Sequence, residues 1–242
     1  MRRLEAHLCY RRFLRKVKKS SAGLVYEPFR FFKSTSNTAT MSTIGTVLQK
    51  QKDSSVLEAP QKSTRPNPLI AEANSTLNIA LQNETQSNNV CAYITGLAIN
   101  HSYSVFLLQA DGVTPYYPSS PSSDSSQLAV NCAIPLGAPG ITRIVKIPQL
   151  AGARIWFSVN STLTFLLNPG PGLVEPSVTN PSDPNIHSYW DFCELTFNSF
   201  QVFANITYVD FVSLPISLTL TNTSGGTQHV AGIPPDGLDT IC

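Results

Sequence analysis

Charged residues make up only 13% of this 242-residue sequence, so an acid inside an apolar stretch stands out. Asp53, Glu58, Asp111, Asp124, Asp183 and Asp236 fall among turn and linker residues. Asp191, Glu194 and Asp210 instead fall inside the apolar run YWDFCELTFNSFQVFANITYVDFVSLP, and strands normally exclude Asp and Glu. If the run folds into one hairpin centred near Val202, Glu194 and Asp210 lie directly opposite each other. Opposed residues share a sheet face, with Cβ atoms about 5 Å apart. Like charges so placed repel, which favours one protonated and one ionised carboxyl. Hydrolysis of a glycosidic bond needs such a pair: a general acid for the leaving oxygen, and a base or nucleophile. Carboxyl groups about 6.5–9.5 Å apart leave room for a water and give inversion. The competing reading is two solvated surface acids.

The neighbours have the chemistry to hold a sugar. Trp190, Phe197, Phe200, Phe203 and Tyr208 offer flat apolar faces, and Thr196, Asn198, Asn205 and Thr207 offer neutral groups that bond hydroxyls. On an ideal strand Glu194, Thr196 and Asn198 share a face. Asn205 and Thr207 do not share one with Asp210 unless a bulge intervenes. Five cysteines are present, Cys9, Cys91, Cys132, Cys193 and Cys242, with no CxxC or Cys/His ligand spacing. No zinc site is expected, and no other metal or organic cofactor is implied. Cys91 and Cys132 read either as a bridge or as small buried hydrophobes.

The elements that must position these residues read as strands. Period-two patterns or short apolar runs mark Thr76–Gln82, Val90–Ile99, Tyr103–Ala110, Gln127–Ala133, Thr142–Ile147, Ala153–Val159, Thr162–Leu167, Asp191–Phe197, Val202–Val212 and Ile216–Thr221. Turn chemistry separates them, and the stretch PSSPSSDSS at 118–126 is a loop. Eighteen Pro and 13 Gly exclude a helical bundle. The expectation is an all-β fold, an antiparallel β-sandwich or barrel. Pro235-Asp236-Gly237 reads as a turn into a helix that nothing follows, so the chain reads as cut off inside a domain.

Charge divides the chain. Residues 1–40 carry ten of the 17 Lys and Arg and two acids, a net of +8; the rest carries seven bases and 13 acids, a net of −6. Residues 1–40 therefore read as a basic extension, disordered or mis-assigned ahead of a true start at Met41. The alternatives are a mitochondrial transit peptide or an arm for anionic lipid or nucleic acid. Residues 41–67 read as a polar linker and 68–242 as the folded body. Neither start is followed by the apolar region of an export signal. No apolar run reaches the ~18 residues of a membrane span. Six N-x-[ST] sites occur, at Asn74, Asn83, Asn100, Asn160, Asn205 and Asn222; with Ser and Thr so frequent and no export signal visible, chance is favoured over glycosylation.

The run NPSDPNIHSYWDFCELTFNSFQVFANITYVDFVSLPISLTL resembles the signature of glycoside hydrolase family 64. The flanking GARIWFSVNSTLTFLLNPGPGLVEPSVTN and HVAGIPPDGLDTIC extend the resemblance over residues 68–242. The spacing E-x-T-x-N…N-x-T-x-x-D is its specific part. The resemblance implies a thaumatin-like fold with the family's mixed α/β second domain largely missing. It implies hydrolysis of internal bonds of β-1,3-glucan, with Glu194 as general acid and Asp210 as general base of an inverting reaction. It also implies sugar contacts from Thr196, Asn198, Phe203, Asn205 and Thr207, with Phe203 where relatives can carry Trp. The NPSDPN run, with Asn180, Asp183 and Asn185, reads as motif or as a Pro-fixed turn. The implied partner is the glucan, with no nucleic acid, in a monomer. Family members are typically exported, so the basic arm leaves the compartment open. The alternatives are a non-catalytic glucan-binding relative and an inactive fragment, each because one groove wall is missing.

Overall fold

The computed structural model describes residues 3–8, 75–222, 224–234 and 237. The linker 41–67, most of the basic arm, Cys9, Cys242 and most of the expected final helix lie outside these residues.

One sheet carries the site and gives the molecule its frame. It contains β3 (Val90–Ala98), β4 (Ser104–Leu108), β5 (Pro115–Tyr116), β7 (Ile134–Pro135), β9 (Leu150–Val159), β12 (Tyr189–Phe197) and β13 (Val202–Ile206), ordered β13-β12-β9-β3-β4-β5 with β7 also paired to β3. All its pairs are antiparallel. A second sheet has the order β15-β14-β1-β2-β8, built from β15 (Thr227–Val230), β14 (Ile216–Thr221), β1 (Arg3–Leu8), β2 (Thr76–Asn83) and β8 (Thr142–Pro148). A small third sheet joins β11 (Gly172–Val174), β10 (Leu166–Asn168) and β6 (Ser126–Gln127).

Alternation decides what each face meets. Leu77, Ile79 and Leu81 of β2 and Val145 and Ile147 of β8 project from the second sheet. They pack in one core with Ala92 and Ile94 of β3, Ile155 and Phe157 of β9, and Cys193 and Leu195 of β12. The two sheets thus form a sandwich, as the sequence pattern indicates. The other face of the large sheet is aromatic at one end: Tyr93, Trp156, Trp190 and Phe192 pack there with Leu163 and Phe165. Gly96 is required for the close approach of β3 and β9, because a Cβ there would lie 2.9 Å from that of Ala153.

Several boundaries differ from the sequence reading. The Gln127–Ala133 stretch is strand only at Gln127, and Thr162–Leu167 only at its last two residues; Leu163 and Thr164 are held by side-chain contacts instead of a ladder. Tyr93 Oη accepts from Leu163 N at 2.8 Å, and Asn185 accepts from Thr164 N at 2.7 Å and donates to its carbonyl at 2.9 Å. Val202–Val212 pairs only to Ile206. The basic stretch supplies a strand the pattern does not show: β1 lies antiparallel to β14 and parallel to β2, with Leu4 fully buried in the main core. Asn83 is also fully buried, its amide bonded to Thr85, Ser87 and Gly137, so its N-x-T site is closed to modification in the fold.

Candidate active site

The site grows from one row of residues in register across four strands. Thr95 of β3 pairs with Arg154 of β9, Arg154 with Glu194 of β12, and Glu194 with Asn205 of β13. The preceding row on the same face is Tyr93, Trp156 and Phe192, likewise in register. A polar row therefore lies directly beside an aromatic one. The next position outward pairs Thr196 with Phe203, and Phe203 is 58% exposed.

Glu194 is held from both sides. Its Oε1 lies 3.5 Å from Arg154 Nε, and its Oε2 accepts from Asn205 Nδ2 at 3.4 Å. Its side chain is 38% exposed, so a substrate can reach it. Arg154 makes its closer ion pair with Glu175, Nη1 to Oε2. Glu175 Oε1 also accepts from Thr95 Oγ1 at 3.0 Å, and Thr95 Oγ1 accepts from Trp156 Nε1 at 3.0 Å. The guanidinium lies over the rings of Phe192 and Trp156, at 4.8 and 5.6 Å. Ring faces attract a cation, so the aromatic row fixes Arg154 and Arg154 in turn fixes two carboxylates.

Sequence reasoning did not reach Arg154 or Glu175. Glu175 follows β11 outside any strand, and nothing in its local pattern marks it. Arg154 carried a signal, a base inside an apolar strand, but no partner could be assigned without the register.

The hairpin register corrects one expectation. Glu194 faces Asn205, not Asp210, because the hairpin centres between Ser199 and Phe200 and not at Val202. Asn198 causes this. Its Oδ1 accepts from Phe200 N at 2.9 Å and from Gln201 N at 3.0 Å, and its own N–H bonds Gln201 O, closing the turn early. The side chain expected to bond sugar thus spends its oxygen on the turn. The same register removes the difficulty with Asn205: with Phe203, it shares the face of Glu194 and Thr196. Thr207 lies just past β13, and Asp210 stands at an exposed bend beyond it. The structure therefore brings together Glu194, Thr196, Phe203 and Asn205, and leaves Thr207 and Asp210 on the segment that leaves the sheet. Phe200 is 86% exposed at the hairpin tip.

The NPSDPN run is a turn in detail. Asp183 accepts from Ser177 N and Asn185 N, and Asn185 O accepts from the Trp190 indole at 3.3 Å. This ties the turn to the start of β12. Among the described residues, no group of three His, Cys, Asp or Glu is placed to hold a metal, and no helix is long and apolar enough to cross a membrane.

The family model of the glycoside hydrolase 64 β-1,3-glucanases matches residues 75–242. The chain belongs to this family. It is similar to the glucan endo-1,3-β-glucosidases of Cellulosimicrobium cellulans and of Arthrobacter sp. (strain YCWD3), 29% identical to each over 97 residues. That stretch is 40% of this chain and 18% of each relative. It is also similar to a laminaripentaose-producing β-1,3-glucanase solved with laminaritetraose, with 28% identity and a TM-score of 0.60 over 68% of this chain and 44% of that one. A family 64 domain from Clostridium beijerinckii shares the fold, with a TM-score of 0.51 at 17% identity over 69% of this chain and 47% of that one. The family 64 chain thus spans about a fifth of the first relatives and under half of the solved structures.

Proposed function

We propose that this chain carries the acid–base wall of an endo-β-1,3-glucan hydrolase that inverts the anomeric centre. The observation that carries the proposal is the row Thr95–Arg154–Glu194–Asn205. It sets one solvent-accessible carboxyl among hydrogen-bonding groups, next to an exposed aromatic. In this reading Glu194 protonates the leaving glycosidic oxygen. Asp210 removes a proton from the water that attacks from the opposite side of the ring. Asn205 orients the Glu194 carboxyl, and Thr196, Phe203, Thr207 and the amide nitrogen of Asn198, whose oxygen closes the turn, contact the glucan. The match to a β-1,3-glucanase solved with laminaritetraose supports the substrate class.

General acid catalysis is worth about 10²–10⁴ in rate. Glu194→Gln and Asp210→Asn should each lower hydrolysis of a soluble β-1,3-glucan by at least about 10², with the circular dichroism of the fold unchanged. A Glu194→Gln variant that cuts as fast as wild type would defeat the assignment. A second reading, glucan binding without hydrolysis, is favoured by the exposed Phe200 and Phe203, which can stack on sugar whatever the carboxyls do. Retention on insoluble glucan with no sugar released would select it.

A further inference from the structure

Asp191 is a buried strand acid that the hydrolytic reading leaves without a task. It is 1% exposed and in register with Phe157 of the main core. Its Oδ1 accepts from Phe192 N at 2.8 Å. Its Oδ2 accepts from Ser213 N at 2.9 Å and Leu214 N at 3.0 Å. Ser213 and Leu214 end the segment that begins where β13 stops, at Ile206, which is itself paired with Cys193. The segment is therefore tied at both ends to β12, at Cys193 and at Asp191. Asp210 stands at the exposed bend between the two ties.

We infer that Asp191 is a positioning residue: its ionised carboxylate pins residues 213–214 to β12 and so fixes where Asp210 stands, and protonation of Asp191 loosens that hold. The inference rests on the reading of Asp210 as the base. A carboxylate receiving backbone N–H groups makes charge-assisted bonds, roughly twice as strong as neutral ones. Such bonds weaken when the carboxyl takes a proton. Burial pushes the Asp191 carboxyl up to about 6, against the pull of its three N–H donors. The ionisable groups that face it are Cys193, two residues along β12, and Tyr208, from the tied segment itself. Burial raises both, Cys193 to about 12, so both stay neutral while Asp191 titrates. The segment has further anchors: Tyr208, whose Oη accepts from Ile233 N at 3.4 Å, and Phe211, whose ring packs 4.8 Å from Trp190 and 6.1 Å from Phe192. That apolar contact does not depend on pH, so loosening should show at 213–214 without release of the whole segment.

The test is amide NMR of the full chain between pH 4 and 8. The Ser213 and Leu214 amide resonances should titrate together with a midpoint near 6, and their protection against hydrogen exchange, relative to the intrinsic rate at each pH, should fall below it. In Asp191→Asn the titration should vanish and the protection of these amides should be low at every pH. Amides at 213–214 that do not titrate near pH 6 in the wild type would overturn the inference without any variant. So would unchanged exchange in a folded Asp191→Asn. In hydrolysis, Asp191→Asn should lower kcat by about 10–100-fold with KM held within twofold, and should flatten the acid limb of the pH profile. An equally active Glu194→Gln would sink the hydrolytic reading alone, because the amide titration does not depend on activity.

Discussion

Arg154 is the residue on which the site's geometry turns. It bridges Glu175 and Glu194 and rests on two aromatic faces. Replacing it with Met keeps some apolar cover but leaves Glu175 without its closest partner. Arg154→Met should cost about 1–2 kcal/mol in urea unfolding, discounted for a side chain that is one-third exposed. It should also disorder the Glu194 carboxyl, so that kcat falls more than KM rises. The place of Glu194 in a strand was legible in the sequence, because the acid in CELTF stands among apolar strand-forming neighbours. Arg154 and Glu175 were not, since an ion pair between residues 21 apart is visible only when β9 and the segment after β11 are placed. The alternation rule predicted Thr196 beside Glu194, and the rule held.

At the scale of the element, the hairpin β12–β13 shows what short-range signals settle and what they leave open. Both strands were legible, and their register was not. Symmetry about Val202 is one of several closures the apolar pattern allows; the side chain of Asn198 chose another by capping two N–H groups. Asn198→Ala should remove that choice, destabilise the hairpin by about 1 kcal/mol, and broaden the resonances of residues 194–206 if register exchange follows. β1 makes a similar point from the other side. RLEAHL carries no strong strand pattern, yet it fills the gap between β2 and β14 and buries Leu4. Deleting residues 1–8 would leave two facing strand edges unpaired. The deletion should lower the urea midpoint and raise aggregation, and an unchanged midpoint would show that β1 adds nothing to the sheet.

For the whole molecule, the sandwich supplies a rigid sheet whose inner face is core and whose outer face is the site. Fold class was legible because strand alternation and Pro and Gly spacing are local, whereas the pairing of β1 with β2 is not. The buried Asp191 links fold to pH. Its folded value near 6 lies above the ordinary 3.8 because burial outweighs the three N–H bonds, so in global unfolding, which removes both, its contribution to stability is fully present below about pH 4. The contribution is lost as pH rises to about 6, roughly 3 kcal/mol in all, and is flat above that. The stability difference between wild type and Asp191→Asn, from urea unfolding at pH 4 and pH 7, should change by that order and in that direction. Inverting hydrolysis by Glu194 is best checked by digesting soluble linear β-1,3-glucan with the full chain and reading the fresh products by proton NMR. The expected products are α-anomeric reducing ends that appear first and then mutarotate, and that are absent with Glu194→Gln. Initial products in the β configuration, or equal release by Glu194→Gln, would contradict that reading.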